Sequence, residues 1–524
     1  MIPINPPVTD TPPSETVVAR LRANARAHPD KPALVCGDQR LNWGALDERM
    51  NRVANLLLHE GLQKGDNVAI LSANSIAYAE LFTGILRAGG CVTPLSSMAS
   101  PEALRKMLTD CGARAIFVAD QYRDLVAGFV TDMAIKRFAI DFADPAFMDY
   151  EAAMQAASTT DPMIDLEMSD AFNLIYSSGT TGTPKGILHN HWMRAAQMDR
   201  VSPNGYDDNA RTLISTPLYS NTTIVSFIPT LFGGSCVHLM PKFDARKYLE
   251  IVEREKITHT MLVPVQYKRI MDVGDFDDFD LSSMRVKFST SAPLRADVKR
   301  DVLARFPGKL MEYYGLTEGG GVTVLVADEH PTKLHTVGKL APGNDIRLID
   351  ADGNEVPPGE VGEICGRGPT MMAGYFGRDD LTADYIWRNE NGDVYFRSGD
   401  MGSFDEDGFL VLSDRKKDMI ISGGLNIYAN DLELVLLDDP DVTDACAIGI
   451  PSEAWGETPL GLVVLRDGAT RGADDILQRA NARLGKSQRL SGVELRGTLP
   501  RSTIGKILKK DLRAPYWETG KDSL

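Results

Sequence analysis

Long hydrophobic runs and clustered cysteines are both missing from this sequence. No stretch approaches the roughly 20 apolar residues that a membrane-spanning helix needs, and the proline-rich start at residues 1–13 lacks a basic region followed by an apolar one. The six cysteines are scattered without a Cys-x-x-Cys pair, which argues against a zinc site and for reduced thiols. We therefore expect a cytoplasmic protein with no integral membrane segment.

Positive charge is also scarce, because 56 Lys and Arg residues stand against 72 Asp and Glu residues, for a net charge of -16. This balance disfavours nucleic acid and anionic membranes as partners. An anionic substrate would then need a locally basic pocket. Lysines and arginines that lie beside glycine-rich turns therefore carry the most information about function.

The length of 524 residues predicts more than one domain. Residues 14–130 alternate helical stretches such as Trp43–Leu58 with short apolar strands such as Asn67–Leu71, and the same alternation resumes after residue 186. The pattern predicts an α/β fold with parallel, helix-covered sheets in a large N-terminal domain. From about residue 335, turns and short strands such as Asp345–Ile349 predict a small β-rich subdomain.

The segment Tyr176–Gly186 combines glycines, hydroxyls and Lys185 in one short turn. Glycines let backbone N–H groups face an anion, hydroxyls add donors, and the lysine adds a positive charge, so the turn is suited to grip phosphate. A polar surface loop has the same composition. A Walker A loop is excluded, because that motif needs Gly-Lys-Ser/Thr opening into a helix, whereas Lys185 follows Pro184.

Four further segments carry candidate binding or catalytic residues. Tyr313–Glu318 offers an aromatic ring, a hydroxyl and a carboxylate that could hold Mg²⁺, although a strand end with a helix cap would look the same. Arg397–Asp400 precedes the cationic segment Asp414–Gly424, in which Asp400 could bind ribose hydroxyls and Arg415 offers a fork of donors. Pro500–Lys506 places a lysine after a glycine, ahead of a basic stretch that predicts a C-terminal helix.

In their order along the chain, these segments resemble the adenylate-forming (AMP-binding) superfamily, and in particular the acyl-CoA synthetases of the fatty-acid or aryl-acid CoA ligase type. The resemblance runs from about residue 41 to Arg513. It implies an AMP-forming enzyme that uses MgATP to convert a carboxylic acid into an acyl-adenylate and pyrophosphate, and then transfers the acyl group to coenzyme A. The acid would be small or medium in size, cyclic or aromatic acids included.

The resemblance also implies residue roles in nucleotide binding. Lys185 would contact the phosphates, Tyr314 the adenine, Thr317 the α-phosphate and Glu318 the Mg²⁺, and Gly315 would belong to the same nucleotide site. The remaining nucleotide positions fall at Asp400 and Arg415 for the ribose, and in the phosphate turn at Ser178, Gly179, Thr180, Thr181 and Gly182. Lys506 would bridge the carboxylate and the α-phosphate during adenylation.

Domain motion is a further implication. A large domain of residues 1–416 would be followed by a small, mobile α+β domain of residues 417–524, with the hinge at Lys417. Rotation would confine Lys506 to the first half-reaction. In the second half-reaction, Ser422, Gly423 and Gly424 would line the channel for coenzyme A.

The acyl pocket departs from the usual family pattern. Pro217–Thr223 stands where many relatives have Pro-Leu-Phe-His, and Thr290–Leu294 stands where Gly-Gly-Ala-Pro-Leu is common. We expect the glycines after Glu318 to leave room for the acid. The residues predicted to line the pocket are Tyr219, Ser220, Asn221, Thr222, Phe227, Ser291, Ala292, Tyr313, Gly319 and Gly320.

Other functions remain open on the sequence alone. A stand-alone adenylation enzyme that loads a carrier protein is one, although no aspartate that would bind a substrate ammonium lies between Thr212 and Thr230, and no carrier domain is attached. A non-catalytic nucleotide sensor is another, and retention of Lys506 argues against it. The predicted partners are the acid, ATP and coenzyme A, and the predicted assembly, if the chain forms one, is a homodimer.

Overall fold

A computed structural model of the chain describes residues 13, 15–177, 185–201, 204–415, 418–422, 425–452, 454–485, 488–502 and 505–518. The chain divides into two compact units. The large unit comprises Met1–Ile346 and Gly366–Phe396, and the small unit comprises Arg347–Cys365 and Arg397–Leu524. None of the helices in these ranges has the length and hydropathy of a membrane span.

The helices are given in chain order. They are α1 (Val17–Ala27), α2 (Trp43–His59), α3 (Ile76–Arg87), α4 (Pro101–Asp110), α5 (Arg123–Ala127), α6 (Tyr150–Ala156), α7 (His191–Val201), α8 (Asn221–Phe232), α9 (Ala245–Glu255), α10 (Pro264–Met271), α11 (Ala296–Arg305), α12 (Asp379–Asp384), α13 (Ala429–Leu437), α14 (Ala473–Arg483) and α15 (Lys509–Glu518).

The strands follow in the same order. They are β1 (Pro32–Cys36), β2 (Gln39–Asn42), β3 (Asn67–Leu71), β4 (Cys91–Pro94), β5 (Ala115–Val118), β6 (Lys136–Ala139), β7 (Met148–Asp149), β8 (Ala171–Ser177), β9 (Lys185–Asn190), β10 (Arg211–Ile214), β11 (Cys236–Leu239), β12 (His259–Leu262), β13 (Val286–Ser289), β14 (Lys309–Tyr314), β15 (Thr323–Val326), β16 (Lys339–Leu340), β17 (Asp345–Ile349), β18 (Gly362–Arg367), β19 (Gly374–Tyr375), β20 (Ile386–Arg388), β21 (Val394–Phe404), β22 (Leu410–Arg415), β23 (Ile420–Ser422), β24 (Leu425–Ile427), β25 (Val442–Ser452), β26 (Gly456–Leu465) and β27 (Gly492–Leu495).

Two long sheets organise the large unit. One has nine strands in the order β16-β15-β14-β13-β12-β10-β11-β1-β2, and the other has eight in the order β19-β9-β8-β4-β3-β5-β6-β7. Strand β3 pairs in parallel with β4 and β5, and all five of its residues are buried. A continuous buried run is what a parallel strand needs when helices cover both faces of its sheet.

The helices beside these strands begin where the sequence supplies a capping side chain. The Asn42 side chain accepts a hydrogen bond from the Ala45 N–H at the start of α2, and the Ser75 hydroxyl accepts one from the Tyr78 N–H at the start of α3. Such caps satisfy N–H groups that have no partner within the helix. The buried faces of α2 and α3 then join one hydrophobic core, which includes Trp43 and Phe82.

Apart from β19, the strands after residue 344 form two smaller sheets. The first follows the order β17-β18-β21-β20, with β22 paired to β21. The second lies in the small unit in the order β24-β23-β26-β25, with β27 parallel to β26. Helices α13 and α14 cover this last sheet through a core that contains Leu432, Ile476 and Val493.

The α/β fold class predicted from the sequence is confirmed. Asn67–Leu71 and Asp345–Ile349 are strands with the predicted bounds, and helix α2 ends at His59, one residue beyond the predicted stretch. The predicted C-terminal helix begins at Lys509, after the isolated β-bridge that pairs Arg501 with Ile507. The domain boundary at residues 416/417 stays a prediction, and its hinge, Lys417, lies outside the described residues.

Candidate active site

The phosphate turn is held between two antiparallel strands of the large unit. Strand β8 ends at Ser177, strand β9 begins at Lys185, and these two residues are register partners. The chain therefore returns to the sheet as a strand, where a Walker A loop would enter a helix. The predicted phosphate ligands between them, Ser178, Gly179, Thr180, Thr181 and Gly182, lie outside the described residues.

Lys185 stands beside two tyrosines that the sequence analysis did not single out. Its Nζ donates a hydrogen bond to the Tyr385 hydroxyl at 2.9 Å and lies 4.7 Å from the centroid of that ring. It also lies 5.6 Å from the centroid of the Tyr375 ring. Aromatic faces attract cations, so the two rings hold the ammonium group at the end of β9.

Tyr375 links this lysine to the predicted magnesium ligand. The Tyr375 hydroxyl donates a hydrogen bond to Glu318 Oε1 at 3.0 Å, and the Glu318 carbonyl accepts one from the Met372 N–H at 2.8 Å. Burial and the neighbouring Glu318 carboxylate raise the pKa of the Tyr375 phenol, which keeps it protonated as the donor. Lys185 and Glu318, which are 133 positions apart in the sequence, are therefore both in contact with Tyr375.

This donor set fits magnesium bound together with phosphates. No cluster of three or more His, Cys, Asp or Glu side chains that could hold a metal occurs in the part of the chain that the structure describes. Mg²⁺ is commonly bound through one or two carboxylates plus the phosphates of its substrate, and does not need a cage of protein ligands. Glu318, half-buried and hydrogen-bonded, supplies one such carboxylate.

The other residues of the large unit that are predicted to bind the nucleotide lie at the end of β14 or just after it. Tyr314 is its last residue, is 9% exposed, and pairs with Thr323 of β15. The Thr317 carbonyl accepts a hydrogen bond from His189 Nε2 at 2.7 Å, so a residue of β9 holds the segment in place. Burial and the nearby Arg194 guanidinium lower the pKa of His189 well below its usual value, so the ring is neutral.

His189 belongs to a buried polar network that the sequence analysis missed. Arg194, on α7, is fully buried and donates Nε–H to Asn173 Oδ1 at 3.0 Å and Nη1–H to Gln197 Oε1 at 3.1 Å. Its Nη2 donates to His189 Nδ1 at 2.8 Å and to Asn221 Oδ1 at 2.9 Å. Burial lowers the pKa of Arg194 to about 9, which leaves it charged at neutral pH.

The glycines after Glu318 do not leave room in the way the sequence suggested. Gly319 and Gly320 both have positive φ, 77° and 81°. A Cβ on Gly319 would collide with the Thr370 carbonyl, and one on Gly320 would lie 2.8 Å from the Phe396 Cβ. The expectation of free space is wrong at these Cβ positions, because the protein's own atoms fill them. Their contact with an acid stays a prediction.

Two polar residues of the predicted acyl pocket contact each other. The Thr222 and Ser291 hydroxyls form a hydrogen bond that joins α8 to the loop after β13. Ser291 has φ 79°, a conformation that glycine adopts readily and other residues rarely do. The serine therefore carries backbone strain, of the kind that clusters at ligand-binding positions. Ala292, the next predicted pocket residue, is half-buried.

Aromatic residues of the predicted pocket differ in exposure. The Tyr313 hydroxyl accepts a hydrogen bond from Asn204 Nδ2 at 3.1 Å, and its ring lies 5.8 Å from that of Phe288. Phe227 is fully buried and packs edge-on against Phe82 at 5.7 Å, which makes it part of the core. The Tyr219 hydroxyl is buried and has no hydrogen-bond partner among the described residues.

The predicted ribose residues lie side by side in the small unit. Asp400 of β21 is the register partner of Arg415 at the end of β22. Asp400 is 8% exposed, and its N–H donates to the Ser398 hydroxyl at 3.0 Å. Ser398 in turn donates to the Ile364 carbonyl at 2.8 Å. The Ser398 hydroxyl therefore links the Asp400 N–H of β21 to the Ile364 carbonyl of β18.

Lys506 lies in a tight loop of the small unit. Ser502 accepts the Lys506 N–H on its hydroxyl at 3.2 Å and donates its own N–H to the Lys506 carbonyl at 2.8 Å. Arg501 donates to the Gly505 carbonyl at 2.6 Å, and its Nη2 donates to both carboxylate oxygens of Asp444, at 2.6 and 2.7 Å. These contacts anchor the loop on β25.

The predicted channel for coenzyme A is described only in part. Ser422 ends β23, pairs with Leu425 of β24 and with Gly456 of β26, and is half-buried. Gly423 and Gly424 lie outside the described residues. The role of this segment stays a prediction.

Tyr375 and Tyr385 could not be found from the sequence, because each lies far along the chain from the residue that it contacts. Tyr385 is 200 positions from Lys185, and Tyr375 is 57 positions from Glu318. No spacing rule connects such pairs, since only the folded chain brings them together. His189 and Arg194 gave no signal that could be read from sequence, because other polar residues lie in the same strand and helix, such as Asn190 and Gln197.

Comparison with known proteins places these features in a family. The model of the AMP-binding enzymes matches residues 21–376, and that of the AMP-binding enzyme C-terminal domain matches residues 431–506. The chain is 33% identical to a feruloyl-CoA synthase from Amycolatopsis sp. over 94% of its own length and 97% of that protein. It is 32% identical to an indoleacetate–CoA ligase from Aromatoleum aromaticum, over 94% and 96% of the two chains.

Solved structures agree. ATP-bound MatB from Rhodopseudomonas palustris superposes with a TM-score of 0.87 at 28% identity, over 96% of this chain and 99% of that one. The predicted use of ATP, Mg²⁺ and coenzyme A is confirmed with the family. The chain belongs to the AMP-binding enzymes, and it is an AMP-forming acyl-CoA synthetase.

Proposed function

We propose that this enzyme activates an aromatic carboxylic acid with ATP and transfers the acyl group to coenzyme A. The observation that carries the proposal is that Lys185 and Glu318 both lie beside Tyr375, because a cation and a magnesium-binding carboxylate there suit a triphosphate. Relatives named for ferulate, indoleacetate and 4-coumarate support an aromatic acid.

In the first half-reaction, a carboxylate oxygen of the acid attacks the α-phosphorus of ATP. A P–O bond forms to the acid, the bond to the β-phosphate oxygen breaks, and pyrophosphate leaves with that electron pair. A carboxylate is a poor acyl donor, so the attached AMP serves as its leaving group. The barrier falls when charge on the phosphates is neutralised in place.

Individual side chains serve this step in distinct ways. Lys185, held by the tyrosine rings, contacts the departing phosphates, and Thr317 contacts the α-phosphate. Mg²⁺, when bound with ATP, neutralises phosphate charge. Glu318 offers it a carboxylate whose orientation is fixed by Tyr375. Asp400 accepts hydrogen bonds from the ribose hydroxyls, and Tyr314 stacks on the adenine.

Lys506 acts only during adenylation. Its ammonium bridges the acid's carboxylate and the α-phosphate, two anions that would otherwise repel each other. The loop contacts of Ser502 and Arg501 keep its backbone in one conformation. A hinge at Lys417 then withdraws it before the second half-reaction.

In the second half-reaction, the thiol sulfur of coenzyme A attacks the acyl carbon. A C–S bond forms, the thiol proton goes to solvent or base, and AMP leaves with the electrons of the C–O bond. Ser422, Gly423 and Gly424 line the route of the pantetheine arm. Small residues there permit close approach of the backbone.

An aromatic acid is also supported by the wall near Tyr313. The ring of Phe288 lies 5.8 Å from Tyr313 and 5.9 Å from Tyr206, with the latter pair nearly parallel at 6°. Phe288 and Tyr206 are buried and support Tyr313 from behind, and the half-buried Tyr313 ring is the one of the three that is accessible to an offset or edge-on contact with an aromatic acid.

A pyrophosphate-release screen tests the proposed function. The full chain is incubated with MgATP and single acids of the fatty, aryl, alicyclic and dicarboxylic classes, with and without coenzyme A. Aryl acids should give the highest kcat/KM, and coenzyme A should be consumed in equal amount to acid. Pyrophosphate release that no acid stimulates would contradict it, as would preference for fatty acids.

Three further measurements test the thiol acceptor, the assembly and the location of the protein. A carrier-protein thiol as acceptor would show as acid-dependent pyrophosphate with no acyl-CoA. A homodimer would give twice the mass of 57.3 kDa by light scattering. The cytoplasmic location is tested by fractionation of cells that produce the protein.

A further inference from the structure

The charge of Arg194 has no opposite charge beside it in the part of the chain that the structure describes. The residue is fully buried, and its partners are the amide oxygens of Asn173, Gln197 and Asn221 and the imidazole of His189, all neutral groups. Burying a guanidinium without a carboxylate is costly. A structural role alone would be served at lower cost by an apolar side chain.

The contact with Asn221 has a directional consequence. A guanidinium only donates hydrogen bonds, so Asn221 must present its oxygen to Arg194 at 2.9 Å. Its amide nitrogen is then on the opposite side, with two N–H donors. Asn221 is half-buried at the start of α8, beside Thr222, whose hydroxyl meets Ser291.

We propose that the Asn221 amide donates a hydrogen bond to an oxygen of the acid substrate, and that Arg194 is the positioning residue that fixes this orientation. The inference rests on the proposed function and names a specificity element of that site. The acid's oxygen is either its carboxylate or a hydroxyl or methoxy substituent. Both sources present the same acceptor chemistry, and they are separated by experiment below.

The position of the network favours such a role. From Asn221, Arg194 leads to His189, and His189 donates to the Thr317 carbonyl at 2.7 Å. The amide of Asn221 is therefore connected through two side chains to the segment that carries the nucleotide residues. An acid that reacts with the α-phosphate must lie near that segment.

The buried charge also strengthens the donor. Withdrawal of electron density through the Asn221 oxygen polarises the amide, and hydrogen bonds polarise one another along a chain in a low-dielectric interior. A polar site that is built to pair with a substrate oxygen discriminates strongly against an acid that lacks it, since its donors are then left without a partner.

Asn221→Asp is the sharpest test. The carboxylate keeps an acceptor for Arg194 and gives it a counter-ion, so the melting temperature should not fall. It replaces the N–H donors with a second acceptor, which repels a substrate oxygen. Asn221→Leu removes donor and acceptor together, and Asn209→Asp, on the exposed surface of the same unit, controls for the added charge.

Acid-dependent pyrophosphate release is measured for each variant with cinnamate, whose only oxygens are the carboxylate's, and with ferulate, which adds a hydroxyl and a methoxy group. Asn221→Asp should lower kcat/KM about 10- to 100-fold, chiefly through KM, and more than Asn221→Leu does. A loss with both acids assigns the contact to the carboxylate, and a loss with ferulate alone assigns it to a substituent.

The role of Arg194 is tested by Arg194→Met in the wild-type and Asn221→Leu backgrounds. If Arg194 acts through Asn221, the substitution Arg194→Met should raise KM in the wild-type background. In the Asn221→Leu background the same substitution should change KM little. The proposal is overturned if, with ferulate, the kcat/KM of Asn221→Asp is no lower than that of Asn221→Leu or of Asn209→Asp. This outcome does not depend on whether Arg194→Met folds. Wild-type protein that releases no pyrophosphate with any acid overturns the proposed function, and this inference with it.

Discussion

The Tyr375 hydroxyl donates a hydrogen bond to Glu318 Oε1 at 3.0 Å while the Lys185 ammonium lies 5.6 Å from the centroid of the same ring. One side chain thus contacts the residue assigned to magnesium and the residue assigned to phosphate. Because both contacts come from a rigid ring on β19, the spacing between the cation and the carboxylate is set by the fold.

Tyr375→Phe should weaken the apparent affinity for magnesium without removing activity. The ring beside Lys185 is kept, and only the hydrogen bond that orients Glu318 is lost. A hydrogen bond of about 1 kcal/mol corresponds to roughly a fivefold rise in the Mg²⁺ concentration for half-maximal activity at saturating ATP. Tyr385→Phe is the matched control, because it removes a hydroxyl from Lys185 and leaves Glu318 untouched. Equal magnesium curves for the two variants would refute the assignment.

Lys506→Ala should separate the two half-reactions. Pyrophosphate release should fall by at least about 100-fold, since the positive charge between two anions is lost. Thioester formation from synthetic acyl-adenylate should stay within about twofold of wild type, because the account gives Lys506 no part in it. Lys510→Ala, at an exposed position on α15, is the control. A similar loss in both half-reactions would show that Lys506 has another role.

How much of this arrangement could be predicted from sequence depends on the range of the interaction. Strands such as Asn67–Leu71 followed from a buried apolar run, and the order of the five motif segments was sufficient for the family. The partners of Lys185 were not predictable, since Tyr385 is 200 positions away. The clearest error concerned Gly319, where the missing side chain admits the Thr370 carbonyl.

Breaking a buried ion pair in the large unit should cause a large loss of stability. Lys299 forms an ion pair with Glu312, and both residues are almost fully buried. Lys299 also donates to the Leu334 carbonyl at 2.8 Å, while Glu312 accepts the Leu294 N–H at 2.6 Å and so anchors the loop after β13.

Lys299→Met would leave the Glu312 carboxylate buried and unpaired. The free energy of unfolding should fall by about 3–5 kcal/mol, measured by urea denaturation. Lys309→Met breaks an exposed pair with Glu329, and it should cost less than about 1 kcal/mol. A loss at Lys299 no larger than that at Lys309 would contradict the burial-based argument.

Buried histidines predict that stability decreases in mild acid. Burial lowers the pKa of His191 to about 4, whereas an unfolded histidine titrates near pH 6.5. Below pH 6.5 the unfolded chain binds a proton that the folded chain does not, so stability is full above that pH and falls as pH falls toward 4. At pH 5 the loss is about 2 kcal/mol for this residue.

Urea denaturation at pH 7.5 and pH 5.0 measures this loss. The variant His191→Phe keeps an aromatic ring against Phe172, which the imidazole meets edge-on at 5.0 Å, and it removes the titrating group. Its loss of stability between the two pH values should be smaller than that of wild type by about 2 kcal/mol. The same loss in both proteins would show that His191 is not the group responsible.

The central claim is that an acid oxygen attacks the α-phosphorus, and oxygen labelling tests it most directly. An aryl acid with both carboxylate oxygens replaced by ¹⁸O is converted with ATP and coenzyme A in unlabelled water, and the products are weighed by mass spectrometry. The account predicts one ¹⁸O in AMP and none in pyrophosphate, with the other ¹⁸O in the thioester. Label in pyrophosphate or inorganic phosphate, or unlabelled AMP, would contradict it.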